Sequence, residues 1–176
     1  TGMVNDLLDI SKLQAGVTQL NKTHFNLTAN LEEAVQRIGR MASANEFMIE
    51  LICDHDKEIF VDADEFKIYQ VVYNLINNAL NYSGDSRHVT VRQECIGDTV
   101  KVSVQDFGLG IAKENLPLVW ERYYKIDKEH RRSFNGSGLG LAIVRKILEL
   151  HNAQYGVDST LGQGSTFWFC LKVSDE

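Results

Sequence analysis

The 176-residue chain lacks any apolar run approaching the ~20 residues that cross a bilayer, so no part of it reads as a membrane span. Proline is nearly absent: Pro117 stands alone among 44% hydrophobic residues, which excludes a disordered or Pro-rich polymer. What remains is one globular domain with a proper core, to which a short extra element could be appended. Cysteine is scarce. Cys53, Cys95 and Cys170 are odd in number and widely spaced, which argues against a disulfide framework or a zinc site and for reduced, buried thiols in a cytoplasmic protein. No signal peptide, internal repeat or low-complexity tract is visible from Thr1 onward.

Positive charge is also in short supply overall, since the net charge is −6, and this argues against a general nucleic-acid binder. Its distribution is uneven. From Lys113 to Lys146 there are eight basic residues (Lys113, Arg122, Lys125, Lys128, Arg131, Arg132, Arg145, Lys146) and four acidic ones (Glu114, Glu121, Asp127, Glu129). That segment is therefore +4 and the remainder −10, a local field suited to a small polyanion.

Periodicity gives a coarse order of elements. Met3, Leu7 and Ile10, with Val4 and Leu8 beside them, have helical spacing until Gly16. Residues 22–27 read as a strand. Thr28 is a candidate cap for a helix to about Asn45, with Leu31, Ala34, Val35, Ile38 and Met41 facing inward. Residues 47–53 and 58–61 look like two strands joined by the turn-rich Asp54-His55-Asp56-Lys57. Asp62 or Asp64 starts a second helix, through Phe66, Ile68, Val71, Val72, Leu75, Ile76, Ala79 and Leu80, ending near Ser83-Gly84. Strands 89–95 and 100–104 flank Gly97-Asp98, a hairpin signal. A helix over 138–151 and strands near 155–157 and 166–173 complete the chain. The mixture predicts an α+β fold, a two-layer sandwich with a mostly antiparallel sheet covered by three helices.

Two glycine-punctuated segments carry the chemistry. Asp106-Phe107-Gly108-Leu109-Gly110-Ile111 follows an alternating strand, and Asn135-Gly136-Ser137-Gly138-Leu139-Gly140-Leu141 opens into an apolar helix. Together they point to a nucleotide-phosphate site at a helix N-terminus, covered by the segment between them. The second helix adds Asn74, Asn78 and Asn81 at i, i+4 and i+7 on one face, although asparagine is a mediocre helix former. An amide oxygen there suits a Mg²⁺ ion held mainly by phosphate oxygens and water. Asn77 reads as an exposed polar residue.

The order Asn-x-x-x-Asn (Asn74, Asn78), Asp-x-Gly-x-Gly-Ile (Asp106 to Ile111), an aromatic and basic lid, Gly-x-Gly-x-Gly-Leu (Gly136 to Leu141) and Gly-x-Gly-Ser-x-Phe (Gly162 to Phe167) resembles the ATP-binding catalytic domain of bacterial sensor histidine kinases. That domain belongs to the wider superfamily of gyrase, the heat-shock chaperone ATPases and MutL, with its Bergerat-type fold. The resemblance implies that residues 1–16 are the end of the second helix of a dimerisation and phosphoacceptor hairpin, and 17–176 the ATP-binding domain, with a lid over about 107–136. It implies ATP and Mg²⁺ as ligands. Asp106 would accept from the adenine amine, being acceptor-only where guanine offers a carbonyl. Gly108 and Gly110 would let backbone approach the base. Asn78 would hold the metal, Tyr82 line the pocket, and Ser165 lie near the adenine edge. Gly136, Gly138, Leu139 and Gly140 would place N–H groups against the phosphates. Lys125, in the lid box Val119-Trp120-Glu121-Arg122-Tyr123-Tyr124-Lys125, would reach the terminal phosphate as an electrophilic catalyst.

The chain departs from that pattern at three positions. Asn81 stands where the family often has lysine, and Trp120 where phenylalanine is usual. Asn74 occupies the place where hydrolytic members of the superfamily carry glutamate; an amide cannot act as a general base, which favours phosphotransfer over hydrolysis. No histidine fits the family's acceptor context: His55 falls in a turn, His24 and His88 in strands, His130 in the lid, and His151 at a helix C-terminus where a cation suits the dipole. The resemblance therefore implies γ-phosphoryl transfer to a histidine outside this chain. The implied partners are the missing dimerisation domain, a response-regulator receiver domain and a second copy in a homodimer; a membrane enters only through other parts of the parent. A hydrolytic ATPase, a degenerate nucleotide-binding module and an anti-sigma-factor serine kinase are the alternatives. The first helix is expected to be exposed, fraying or packed against another copy.

Overall fold

The computed structural model describes residues 18–54, 56–121 and 139–175, together with Asn5, Leu8, Ser11, Lys12, Ala15 and Gly16. The elements run β1 (Thr23–Asn26), α1 (Leu27–Ser43), β2 (Met48–Cys53), β3 (Phe60–Ala63), α2 (Glu65–Tyr82), β4 (His88–Ile96), β5 (Thr99–Asp106), α3 (Gly140–Leu150), β6 (Tyr155–Ser159) and β7 (Ser165–Lys172), with short 3₁₀ turns at Gly84–Ser86 and Lys113–Leu118. Five strands form one mixed sheet in the order β2-β4-β5-β7-β6, and β1 pairs with β3 in a separate ribbon. The α+β sandwich expected from periodicity is the fold that forms.

The β4–β5 hairpin nucleates the sheet locally. Gly97 at φ 63° supplies the left-handed residue of the tight Gly97-Asp98 connection, and pairing runs from Ile96↔Thr99 to Val89↔Asp106. Val100, Val102 and Val104 alternate inward along β5, facing Phe167, Phe169 and Leu171 of β7. α2 lies across β4 and β5, α3 packs on α2, and α1 leans on α2 and β2. The stripe Ile68, Val71, Val72, Leu75, Ile76, Ala79 and Leu80 is buried along α2, whose start is fixed by Asp64: its carboxylate accepts from the Lys67 N–H at 3.1 Å.

Several expectations are corrected. The cap of α1 is Asn26, whose side chain accepts from the Ala29 N–H at 3.0 Å. Thr28 is instead buried, its hydroxyl engaged with Gln93 of β4 and with the Ile59 N–H. Met41 and Phe66 are exposed, lying just outside the buried arcs of their helices. The segments either side of Asp54–Lys57 are not partners: β2 runs parallel to β4, while β3 pairs antiparallel with β1. The three cysteines are free thiols, half-buried rather than buried. His151 caps α3 as a neutral base. Burial holds its pKa below 6.5, Nδ1 donates to the Ile147 carbonyl at 2.8 Å, and Nε2 accepts from the Asp64 N–H at 3.1 Å.

At the N-terminus, Asn5, Leu8, Ser11 and Lys12 are helical and exposed, and Gly16 follows at φ 67°. Met3, Val4, Leu7 and Ile10 lie outside the described residues. No helix among the described residues is long and apolar enough to cross a membrane.

Candidate functional site

The inward alternation of β5 ends on a charge. After Val100, Val102 and Val104 the next inward position is Asp106, which is 1% exposed. Its Oδ1 accepts from the Gly108 N–H at 3.0 Å, and the N–H of Ser165, its cross-strand partner, also donates to the carboxylate. Burial outweighs both and pushes the pKa from 3.8 up to about 6. Near neutral pH the group is thus an ionised acceptor in a poorly solvated place. That arrangement costs folding free energy and is compensated when a ligand donor reaches it.

Three loops converge on this carboxylate so closely that side chains are excluded. A Cβ on Gly108 would sit 1.6 Å from the Tyr82 carbonyl oxygen at the end of α2, and one on Gly164 would sit 2.1 Å from the Asp106 carbonyl oxygen. Gly110 passes equally close to Thr160, and the Gly162 N–H donates to the Leu109 carbonyl at 2.7 Å. Behind them Ser159 Oγ meets the Ile111 N–H at 2.7 Å, the Gly164 carbonyl at 2.8 Å and Ser165 Oγ at 2.9 Å. Tyr82 is exposed at the rim.

The polar face of α2 forms a second wall. Asn74, Asn77, Asn78 and Asn81 are all half-buried, Asn77 included, against the expectation that it would be exposed. Asn74 lies beside the first turn of α3, where a Cβ on Gly140 would be 3.8 Å from its amide carbon. That turn begins at Leu139–Gly140, and Leu139 supplies no side-chain cap; the positive end of a helix suits an anion. Asn74 Nδ2 and Asn81 Oδ1 are buried with no hydrogen-bond partner among the described residues. Native proteins rarely bury such atoms unpaired, so these two fit a ligand or ordered water along this face of α2. Among the described residues no group of three or more His, Cys, Asp or Glu could hold a metal alone. A cation here would need neutral amide oxygens and an anionic ligand to balance it, which is the donor set that Asn78 offers.

The start of the expected lid is built into the body. Ile111 and Val119 are buried, and Trp120 packs edge-on against Tyr155 and Phe167 with ring centroids 5.1 and 5.4 Å away. Arg145 of α3 ties down the next residue, Glu121, at 3.2 Å while also pairing with Glu149 at 3.0 Å. Lys125, Gly136 and Gly138 lie outside the described residues, as do His55 and His130.

Residues 63–175 match the family described as Histidine kinase-, DNA gyrase B-, and HSP90-like ATPase, which is well over half of the chain. The chain belongs to that family. Within the histidine kinase-like ATPases its likeness is to sensor kinases. Sensor histidine kinase WalK of Bacillus subtilis (strain 168) is 34% identical over 179 residues, covering 99% of this chain and 28% of the relative. The Non-motile and phage-resistance protein of Caulobacter vibrioides is 33% identical, covering 97% of this chain and 20% of its own length. Full-length ShkA, solved in complex with AMPPNP, superposes with a TM-score of 0.85 at 25% identity over 99% of this chain and 36% of that one. The catalytic domain of histidine kinase ThkA gives 0.74 at 25% identity over 86% of this chain and 95% of its own. The chain thus spans only 20–28% of the two curated relatives' length and corresponds to their ATP-binding catalytic part.

Of the positions that the family's motifs single out, the fold brings Asp106, Gly108, Gly110, Ser165 and Tyr82 together around the Asp106 carboxylate. Asn74, Leu139 and Gly140 meet where α2 touches the start of α3, with Asn78 one turn further along α2. Sequence reasoning missed Ser159 and left Gly164 without a role. The signal for Ser159 was available: strand alternation places it inward, in line with Tyr155 and Val157, where a hydroxyl needs a reason.

Proposed function

We propose that this domain binds Mg-ATP and transfers its γ-phosphoryl group to a histidine imidazole on the dimerisation domain of its parent protein. The observation that carries the reading is Asp106, a buried carboxylate hemmed in by the backbones of Gly108 and Gly164, in a chain whose α3 begins on the glycine-rich segment. An acceptor-only group selects the amine of adenine, and a helix N-terminus suits the phosphates. The AMPPNP complex of ShkA supports the same ligand class.

Each described residue then has a task. Asp106 orients the base, and the Gly108 and Gly110 backbones admit it. Asn78 would hold Mg²⁺ together with phosphate oxygens and water; the metal, when bound, neutralises phosphate charge. Asn74 sits where an amide can position the phosphates but cannot activate water, which favours transfer over hydrolysis. Lys125, Gly136 and Gly138 keep the phosphate-facing roles implied by the family's motifs. Catalysis would come from positioning and charge neutralisation, as in other phosphoryl transfers. The described histidines are poor acceptors: His24 pairs with Asp62 and stacks on Phe60, His88 lies against Glu50 and Phe107, and His151 is engaged through both nitrogens. With His55 and His130 lacking the family's acceptor sequence context, the proposed acceptor belongs to another domain. A response regulator is the expected next carrier; ThkA has been solved in complex with its response regulator protein TrrA.

Mixing the domain with the parent's dimerisation domain and γ-labelled ATP tests the reading. Label appearing on the acceptor histidine is the expected result. Steady phosphate release by the domain alone, with no labelled acceptor, would instead support a hydrolytic ATPase.

A further inference from the structure

The hydroxyl pair behind Asp106 has a determined polarity. Ser159 Oγ lies 2.8 Å from the Gly164 carbonyl oxygen, which can only accept, so the single hydroxyl proton of Ser159 goes there. The Ile111 N–H donates to the same oxygen at 2.7 Å. The 2.9 Å contact with Ser165 Oγ must then run the other way, with Ser165 donating. Ser159 is thereby saturated: one bond given and two received. Ser165 has spent its only proton backwards into the protein, and its oxygen lone pairs are left to act as acceptors towards a ligand.

Ser165 stands directly across from Asp106 in the β5–β7 register, and both are buried on the inward face. Cross-strand partners hold their Cβ atoms about 5 Å apart, so hydroxyl and carboxylate present one continuous edge. We infer that Ser159 is a positioning residue for nucleobase choice: by taking the Ser165 proton it leaves Asp106 and Ser165 as two acceptors facing a 6-amino group, directly or through one water. A 6-oxo base meets two acceptors with a third. This rests on the nucleotide reading above and extends it to a residue that does not touch the base.

A staple that merely joined the Ile111 and Gly164 loops would weaken every nucleotide alike when removed. The polarity role changes a ratio. ATP and ITP differ at position 6 and the adjoining ring nitrogen, so their relative affinity reads the donor and acceptor pattern alone. Calorimetry with magnesium at pH 8, where Asp106 is ionised, compares the two on wild type, Ser159→Ala, Ser159→Thr and Ser165→Ala. Wild type should prefer ATP by about a hundredfold. Ser159→Ala frees the Ser165 proton to turn towards the ligand and should cut that preference about tenfold. Ser159→Thr keeps the oxygen and should restore the preference, whereas Ser165→Ala should lower it as Ser159→Ala does. An unchanged ratio in Ser159→Ala, or in Ser165→Ala should the first variant not fold, overturns the inference while leaving ATP binding intact. A wild-type domain that captured neither nucleotide would overturn the nucleotide reading and this inference with it.

Discussion

Replacing Asp106 by asparagine should make the empty protein more stable while taking away its ligand. The carboxylate is 1% exposed, and burial lifts its pKa from 3.8 to about 6. At ~1.4 kcal/mol for each tenfold change in acidity, the ionised group costs the fold about 3 kcal/mol above pH 6. Asparagine keeps an oxygen for the Gly108 N–H but buries an amide NH₂ without an assigned acceptor, returning about 1–2 kcal/mol of that gain. A net stabilisation of ~1–2 kcal/mol should raise the melting temperature by about 2–6 °C at pH 8. The pH dependence follows from the direction of the shift. Because the folded pKa lies above the unfolded one, the folded wild type binds the extra proton. The penalty is therefore absent below 3.8, grows as pH rises from 3.8 to about 6, and is complete beyond that. The advantage of Asp106→Asn should accordingly disappear by pH 4. In the same variant ATP affinity should fall by about 30- to 100-fold, the worth of a hydrogen bond to a charged group. Thermal melts across pH 4–8 and calorimetry with Mg-ATP measure both. A variant less stable than wild type at pH 8 that still binds ATP normally would refute the reasoning.

Other substitutions probe the remaining parts. Gly108→Ala drives a methyl group to within 1.6 Å of the Tyr82 carbonyl oxygen, so chemical denaturation should show a loss of about 2–4 kcal/mol together with weaker nucleotide binding. Asn78→Ala should leave folding intact and lower phosphotransfer about a hundredfold, with a raised magnesium requirement in a metal titration. His151 has a folded pKa held below 6.5, so its contribution to stability is present above 6.5 and lost as pH falls through the folded value. Melts of His151→Gln should therefore show a flatter acid limb than wild type.

The elements read correctly from the sequence are those whose signals are local. The α2 stripe, its Asp64 cap and the Gly97-Asp98 hairpin each need only neighbouring residues. Asp106 was legible through the glycine-punctuated segment it opens and the family motif that segment resembles. Partner choice was not legible. Residues 48–53 and 60–63 look alike as short apolar strands, yet β2 joins β4 in parallel and β3 joins β1, pairings to residues distant in sequence that a local pattern does not encode. The α1 cap failed through competition: Asn26 and Thr28 are both good caps, and only the tertiary structure shows that the Thr28 hydroxyl is claimed by Gln93 and Ile59. Ser159 fell outside the expected 155–157 strand and had no role, because its bond to the distant Ile111 N–H exists only once the fold brings that loop to the β6–β7 turn.

The places where local rules fail coincide with the pocket, and the coincidence has a physical cause. A sequence tuned only for folding would put valine at position 106, alanine in place of at least one crowding glycine, and apolar residues where Asn74 and Asn81 stand on α2. Here a buried carboxylate, backbones too close for a Cβ, and Asn74 and Asn81 atoms with no partner among the described residues all fall at positions that the family's motifs single out or adjoin. Each is unfavourable in the empty protein, and each is relieved by a ligand carrying a donor at one end and negative charge at the other. Stability lost to the site in the absence of ligand reappears as binding free energy in its presence, which is why Asp106→Asn should move folding and affinity in opposite directions.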